Sequence, residues 1–169
     1  AAGDAGGALG AALLVSHMKY KVPRPLNASR NNSQKCSFLG PAFNSNEIWA
    51  FLDHKDYPHK RIKDKQERIE TIAKALSDGM VVGYFSGRME FGPRALGARS
   101  ILGDPRNVEM QVTMNLKIKY RESFRPFAPA VLEERCEEYF ELDCESPYML
   151  LVAPVQKERR FYLKNNLKR

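Results

Sequence analysis

The chain has 169 residues, of which 28% are charged and 43% hydrophobic, and its formal net charge is +7 at pH 7. This length supports one domain with a core, or one domain plus part of another, and the composition excludes wholesale disorder. No apolar run approaches the ~20 residues of a membrane span, so we expect no membrane partner. The positive charge favours small anionic molecules or nucleic acid as ligands without choosing between them.

The cysteines and histidines show neither metal-ligand spacing nor the pattern of a disulfide framework. They are Cys36, Cys136 and Cys144, and His17, His54 and His59. Because the number of cysteines is odd and no Cys-x-x-Cys pair occurs, we expect reduced thiols and a cytoplasmic location. The scattered histidines predict no metal site in this chain.

Residues 1–20 are rich in Gly and Ala and predict a helix that packs closely against a neighbour. Gly3 and Asp4 stand at its N-terminal end, and Gly6 follows them. Backbone N–H groups in such a segment can bind a nucleotide phosphate, although a packing helix is the more frequent meaning of this composition. The first residue is not methionine and residues 156–169 contain no closing core element, so we expect cut ends on both sides.

The next segments alternate between linker, helix and strand. Residues 21–46 contain several prolines and asparagines and are interpreted as a linker, at whose end Ser45 is expected to cap a short helix. Residues 63–78 show the apolar spacing of an amphipathic helix, which ends at Gly79. The apolar run 80–85 then predicts a buried strand. A helix, a tight turn and a strand in this order indicate α/β architecture.

The segment 86–106, here called the arginine loop, gathers several arginines around one carboxylate, that of Glu90. The arginines are Arg88, Arg94, Arg99 and Arg106. Glycines at positions 87, 92 and 97 exclude a regular helix and allow the backbone to approach a ligand closely. The loop follows the carboxyl end of the predicted central strand, where open α/β sheets build ligand sites. We therefore favour an anion-binding loop over a solvated basic surface.

A second basic segment follows another predicted helix. One face of that helix is expected to carry Val108, Val112 and Leu116. Lys119 and Arg121 crowd its end, which fits either simple helix termination or a second source of cations for the site. Arg125 stands at the entry of an extended segment. Further along, residues 133–142 predict a helix and residues 148–153 predict a strand.

Three blocks of the sequence resemble one family. Residues 87–106, with the run Gly-Pro-Arg-Ala-Leu-Gly at 92–97, resemble the C-terminal part of the NodU/CmcH family of O-carbamoyltransferases. Residues 119–129 are similar to the second block of that family. Residues 3–12 look like the last nucleotide-associated motif of the actin-like ATPase-fold domain that precedes it.

The resemblance implies a fold and a division of the chain. The implied fold is α/β, a YrdC-like twisted open sheet flanked by helices, which we expect to be incomplete at its C-terminal end. The implied divisions are the end of the ATPase-fold domain at 1–20, a linker at 21–46 and the YrdC-like domain at 47–169.

The resemblance also implies a reaction shared between two domains. In such enzymes the YrdC-like domain combines carbamoyl phosphate with ATP to give carbamoyl adenylate and pyrophosphate, and the N-terminal domain passes the carbamoyl group to a substrate hydroxyl. The catalytic residues that the resemblance places on the phosphate and carbamoyl groups are Arg94, Lys119 and Arg125. The residues that it places around the same ligands, lining or bracing the loop, are Arg88, Glu90, Arg99, Ser100 and Arg121. The nucleotide-associated motif is Gly3, Asp4 and Gly6.

The partners follow from the same resemblance. We expect ATP and carbamoyl phosphate as substrates, Mg²⁺ as an accompanying ion, and iron only in the missing N-terminal domain. A carboxylate among arginines more often orients them through ion pairs than binds Mg²⁺, so we favour an ion pair for Glu90. The N-terminal domain is the expected protein partner, and we expect this chain not to complete carbamoyl transfer alone. A basic YrdC-like RNA-binding module without transferase activity is the alternative.

Overall fold

The computed structural model describes residues 3–23, 34 and 37–160. The expectations for Cys36, for most of the linker and for residues 161–169 lie outside these residues. The described residues form a mixed α/β fold, as predicted, with the following helices and strands: α1 Asp4–Leu14, α2 Ser45–His54, α3 Lys65–Ser77, β1 Val82–Phe85, β2 Arg99–Leu102, α4 Met110–Thr113 and α5 Cys136–Tyr139. Shorter helical turns are the π-helical Val15–Lys19 and Met114–Ile118 and the 3-10 turns Glu133–Arg135 and Lys157–Arg159.

Two of the helices begin at side-chain caps that the sequence supplies. Asn44 accepts a hydrogen bond from the amide of Glu47, whose carboxylate accepts one from the amide of Asn44, which is the reciprocal capping box. The cap of α2 is therefore Asn44, one residue before Ser45, which was the predicted cap. Helix α3 is capped by Asp64 and lies within the predicted range. Of the helices in the described ranges, none has the length and apolar character needed to cross a membrane.

Strands β1 and β2 pair antiparallel in a two-stranded sheet, with Val82 opposite Leu102 and Phe85 opposite Arg99. Strand β1 lies within the predicted run 80–85, although its side chains are half-buried to exposed rather than fully buried. The arginine loop is consequently the connection of a hairpin. It does not lie at the carboxyl edge of a parallel sheet, which is the position that the sequence had indicated.

The strand predicted at residues 148–153 does not form. Met149 has φ of 53°, which takes the chain out of the extended region at the start of the run. Val152 is fully exposed, which a residue of a buried strand would not be. Only an isolated antiparallel bridge between Phe140 and Val155 is found nearby. The prediction of a helix over residues 133–142 is likewise too long, because the 3-10 turn and α5 end at Tyr139.

The helix after the arginine loop buries residues other than those that the sequence places on one face. Val108 is 87% exposed, whereas Met110, Met114 and Asn115 are buried. Val108 lies in the turn before α4, whose first residue is Met110, so it does not share the face of the helix that Met110 and Met114 bury. Among the described residues the buried apolar side chains are Ala98, Met110 and Met114.

The end of β2 packs against this small core through Gly103. A β-carbon at Gly103 would lie 2.6 Å from Sδ of Met114 and 2.8 Å from Sδ of Met110. The absence of a side chain therefore allows the strand end to approach the helix closely. This contact packs the β1–β2 hairpin, which holds the arginine loop, against the helix that leads to the second basic segment.

Candidate anion-binding site

The arginine loop is folded around the buried carboxylate of Glu90, which is 6% exposed. Its Oε1 accepts hydrogen bonds from the amides of Leu96 and Ala98 at 2.7 Å each and from the amide of Arg99 at 3.2 Å. Burial raises the pKa of Glu90, but the amides of Leu96, of Glu90 itself, of Ala98 and of Arg99 together outweigh it, so the pKa lies below its ordinary value. Glu90 is therefore held ionised as the centre of the loop.

The ion pair expected for Glu90 is wrong. No arginine among the described residues pairs with Glu90, because backbone amides take the place of side-chain cations. An oxygen that already accepts three N–H groups is also a poor Mg²⁺ ligand. Across the described ranges, no group of three His, Cys, Asp or Glu side chains is placed to share a metal ion.

Arg99 closes the base of the loop. Its guanidinium carbon lies 3.5 Å from the centroid of the Phe85 ring on the paired strand. The same group donates hydrogen bonds to the carbonyls of Ser86 at 3.1 Å, Ala98 at 2.9 Å and Gly87 at 3.2 Å. Three of its N–H groups are thereby used within the loop, so the geometry gives Arg99 a bracing position.

Gly97 makes the bend that brings the amides on either side of it to Glu90. Its φ is 109°, a conformation that L side chains rarely adopt, and its amide donates to Oγ of Ser100 at 3.1 Å. Ser100 therefore braces the same turn. Gly87 and Gly92 also have positive φ values of 60° and 121°, which agrees with the prediction that these glycines exclude a regular helix, whereas their approach to a ligand stays a prediction.

Residues 37–41, just before α2, support the loop from outside. Met89 exchanges two backbone hydrogen bonds of 2.9 Å with this segment, and the amide of Phe91 donates a third at 2.7 Å. The guanidinium of Arg88 donates to the carbonyl of Leu39 at 3.4 Å. The Pro- and Asn-rich composition of the linker gave no indication of this attachment, because it uses backbone groups that every residue carries.

The N-terminal end of α1 lies beside the arginine loop. A β-carbon at Gly3, which precedes the helix with φ of 68°, would lie 3.7 Å from Cγ of Pro93. The amide of Gly6 donates back to the carbonyl of Gly3 at 3.1 Å. The side chain of Asp4 lies outside what the structure describes. The glycine motif and the residue before Arg94 are thus neighbours, although they are 90 residues apart in the sequence.

The second basic segment, residues 119–125, is held by the buried side chain of Asn115. Asn115 donates to the carbonyls of Ser123 and Arg125 and accepts from Nε of Arg121 at 2.7 Å. Asn115 was not predicted to matter, because the sequence gives no sign that a polar side chain at a helix end is fully buried. Within the described residues, no hydrogen bond or ion pair joins this segment to the arginine loop.

The arginines differ in whether a carboxylate neutralises them. Those that pair with a carboxylate are Arg61, Arg106, Arg125, Arg135, Arg159 and Arg160. Arg94 and Lys119 are exposed and have no hydrogen bond or ion pair from their side chains within the described residues. Three further arginines contact only neutral groups within the described residues, namely Arg88, Arg99 and Arg121.

Arg125 is the site cation that does have an acidic partner. Its Nε lies 2.8 Å from Oε2 of Glu122, in an exposed pair. A hydrogen bond with the Glu122 amide, followed by the contact with Arg125, lowers the pKa of the Glu122 carboxyl. Exposed pairs of this kind contribute little to stability, so the contact with Glu122 holds Arg125 only weakly.

Comparison with known proteins agrees with the family resemblance. Residues 73–167 match the family model described as "Carbamoyltransferase C-terminus". The chain is 53% identical over 166 residues to "Uncharacterized protein sll1178" of Synechocystis sp., covering 96% of this chain and 26% of that protein. It is 42% identical over 168 residues to "Nodulation protein NolNO" of Sinorhizobium fredii, covering 95% of this chain and 23% of that protein.

A further relative has a name that agrees with the NodU/CmcH family indicated by the sequence. "Nodulation protein U" of Rhizobium fredii is 46% identical over 108 residues, which cover 59% of this chain and 18% of that protein. The chain thus spans about a quarter of the length of the first two relatives. By the match of its residues 73–167, which include both basic segments, the chain belongs to the carbamoyltransferase C-terminus family.

Proposed function

We propose that this chain supplies the carbamoyl-activating part of an O-carbamoyltransferase. It binds carbamoyl phosphate and ATP and forms carbamoyl adenylate, and the carbamoyl group then passes to a substrate hydroxyl held by the N-terminal domain. Family membership supports the transfer of a carbamoyl group. The observation that carries the choice of ligands is the set of site cations without carboxylate partners, above all Arg94 and Lys119.

Charge explains why these cations suit the two substrates. ATP and carbamoyl phosphate together bring roughly six negative charges into one site, and fixed cations are needed before the groups can approach each other. A positively charged side chain that is already paired must first lose its partner, whereas Arg94 and Lys119 lose only water. The buried carboxylate of Glu90 accepts hydrogen bonds from backbone amides, so it does not neutralise Arg94.

The chemistry requires no side-chain nucleophile. Overall, one carbamoyl phosphate, one ATP and one water give carbamoyl adenylate, one phosphate and one pyrophosphate. Positioning and charge neutralisation supply most of the catalysis in phosphoryl transfers of this type. In the proposed site Arg94, Lys119 and Arg125 contact the phosphate and carbamoyl groups, while Arg88, Glu90, Arg99 and Ser100 hold the loop.

In this proposal, none of these side chains binds Mg²⁺ or iron. Mg²⁺ is proposed to arrive with ATP, because Oε1 of Glu90 is occupied by amides. Iron belongs, by resemblance, to the N-terminal domain, and the described side chains do not fit an iron site. No step of the proposed reaction in this chain runs through iron.

Exchange of labelled pyrophosphate into ATP tests the proposal, because it reports reversible formation of an adenylate. We expect exchange that depends on carbamoyl phosphate in the unaltered chain and its loss in Arg94→Ala and Lys119→Ala. Arg68→Ala is the matched control, since Arg68 is also exposed and has no side-chain partner within the described residues but lies on α3. Absence of exchange in the unaltered chain, or an equal effect of the control, would contradict the proposal.

The RNA-binding alternative has one observation in its favour. Tyr120 and Phe124, which flank the cations of the second basic segment, are 87% and 78% exposed, and exposed aromatic rings beside cations can stack on unpaired bases. Affinity for single-stranded RNA that falls with salt and survives Arg94→Ala would favour this alternative. The pyrophosphate exchange assay separates it from the enzyme, because an RNA-binding module gives no exchange.

A further inference from the structure

Arg121 is held on one edge and one face of its guanidinium group. Its Nε donates to Oδ1 of Asn115 at 2.7 Å, and its guanidinium carbon lies 4.9 Å from the centroid of the Phe127 ring. Within the described part of the chain, neither of its Nη atoms has a hydrogen-bond partner. The remaining edge of the guanidinium therefore presents two parallel N–H groups, which is the geometry that binds two oxygens of one phosphate.

Asn115 fixes the orientation of Arg121 because its side-chain amide satisfies its hydrogen-bond partners in only one of the two orientations that a flip of the amide would give. Nδ2 faces the carbonyls of Ser123 at 3.0 Å and Arg125 at 2.8 Å, which only accept hydrogen bonds. Oδ1 faces Nε of Arg121, which only donates. The side chain is 0% exposed, and the backbone carbonyl of Asn115 also accepts the amide of Arg121 at 3.0 Å. Neither Asp nor Leu would satisfy all of these contacts.

Arg121 forms no direct ion pair among the described residues, although its charge contributes to lowering the pKa of the neighbouring Glu122 carboxyl. Arg121 is half-buried, and no carboxylate among the described residues pairs with it. The arginines of the C-terminal part, such as Arg135 and Arg160, each have an acidic partner instead. A partly desolvated cation that lacks a partner favours an anion at its free edge.

We propose that Asn115 and Phe127 are positioning residues that hold Arg121 as a two-pronged donor for one phosphate group of a substrate. This inference rests on the proposed function and adds to it the residues that orient Arg121. The phosphate belongs either to ATP or to carbamoyl phosphate. The alternative role of Arg121 is structural, in which it ties residues 119–125 to the helix and contacts no ligand.

Binding measurements on the whole chain separate these roles. Dissociation constants for a non-hydrolysable ATP analogue and for carbamoyl phosphate are measured by isothermal titration, together with Tm. Arg121→Lys keeps the charge and removes the paired N–H groups, and it is expected to weaken one of the two ligands about tenfold or more. The ligand that weakens identifies the source of the phosphate. Phe127→Leu is expected to weaken the same ligand about threefold to tenfold by releasing the face of the guanidinium.

A double-mutant cycle shows whether Phe127 acts through Arg121. If it does, Phe127→Leu has no further effect on ligand affinity once Arg121→Lys is present, whereas a purely structural effect adds to it. Gln111→Ala is the matched control, because Gln111 donates to the same carbonyl of Arg125 as Asn115 but does not contact the Arg121 side chain. It is expected to lower Tm and leave both dissociation constants within about twofold.

Each result decides a separate question. If the unaltered chain binds neither ligand, the proposed function is wrong, and this inference falls with it. If the unaltered chain binds both, but Arg121→Lys weakens neither or both equally, the proposed function stands and the role of Arg121 is overturned. Additive effects of Phe127→Leu and Arg121→Lys overturn the positioning role of Phe127. Asn115→Ala removes the two bonds that hold the loop as well as the contact with Arg121, so Arg121→Lys and Phe127→Leu are the deciding variants.

Discussion

Oε1 of Glu90 lies 2.7 Å from the amide nitrogen of Ala98, and both residues are buried. This contact inverts the arrangement that a carboxylate among arginines usually indicates. The Glu90 carboxylate is bound by backbone amides inside the loop, and no arginine among the described residues pairs with it. Arg94 remains exposed and free of a carboxylate partner in the same part of the chain, which is the arrangement on which the proposed anion site depends.

Glu90→Gln is therefore expected to destabilise the loop. The amide side chain still offers an acceptor oxygen, but it is neutral, and one of its N–H groups replaces a carboxylate oxygen in the buried site. We expect the free energy of unfolding to fall by about 1–3 kcal/mol, the usual range when a buried hydrogen-bonded charge loses its match. Thermal or urea unfolding of the chain measures this change.

Glu109→Gln is the matched control for Glu90→Gln. Glu109 is exposed, and its carboxylate has no hydrogen bond or ion pair within the described residues. Its replacement should change stability by less than about 0.5 kcal/mol, as surface substitutions generally do. Equal losses for Glu90→Gln and Glu109→Gln would show that the carboxylate does not organise the loop.

The stabilising effect of Glu90 should depend on pH with a defined sign. Its pKa in the folded chain lies below the ordinary value of 4.5, so the folded state favours the ionised carboxylate. The contribution is fully present above pH 4.5 and is lost as the pH falls through the folded pKa. The stability difference between the unaltered chain and Glu90→Gln should therefore be constant near neutral pH and shrink below pH 4.5. Urea unfolding at a series of pH values checks this, and a difference that grows on acidification would refute it.

Local signals in the sequence predicted the elements whose structure depends on nearby residues. Helix α3, strand β1 and the glycine turns of the arginine loop follow from apolar spacing and from glycine, which act over a few residues. The strand expected at 148–153 failed because the backbone of Met149 turns away, and the face expected for the helix after the arginine loop was wrong because the helix begins at Met110, after Val108. Neither feature has a reliable signal in one sequence.

The residue pattern predicted an anion-binding arginine loop, and the family resemblance added the roles of individual residues. The resemblance identified Arg94, Lys119 and Arg125, whose binding roles remain predictions. It did not identify Asn115, whose importance lies in burial and in the direction of its amide. The partner of Glu90 was also unpredictable, because backbone amides are present at every residue except proline and leave no mark in the sequence.

Arg99→Lys should loosen the base of the arginine loop without changing its charge. Lysine cannot stack a planar group on Phe85 and reach the carbonyls of Ser86 and Gly87 at the same time. We expect a loss of about 1–2 kcal/mol, from the cation–π contact and the hydrogen bonds to carbonyls. Hydrogen exchange at the amides of Leu96 and Ala98 should accelerate, because these groups are protected only while the loop is closed over Glu90.

Arg88→Lys serves as the control for Arg99→Lys, since Arg88 has one long hydrogen bond of 3.4 Å to the loop's outer support. Its effect on exchange at the amides bonded to Glu90 should be small. If both substitutions accelerate exchange equally, the stacking of Arg99 on Phe85 does not hold the loop. If neither does, the loop is closed by Glu90 alone.

Gly103→Ala tests the packing that joins the hairpin to the helix before the second basic segment. The added β-carbon would lie 2.6 Å from Sδ of Met114 and 2.8 Å from Cγ of Met110, which is closer than atoms in contact can approach. Because methionine side chains are flexible, they can move aside in part, and we expect a cost of about 1–3 kcal/mol rather than loss of the fold. Gly83→Ala is the matched control, because no atom outside its neighbours lies within 4 Å of a β-carbon there. Chemical unfolding should show a loss for Gly103→Ala and none for Gly83→Ala.

A second substitution, Met114→Ala, should make Gly103→Ala less costly than it is in the unaltered chain, because the space that the new methyl group needs is then free. Additive losses in that double variant would mean that Gly103 does not pack against Met114 in solution.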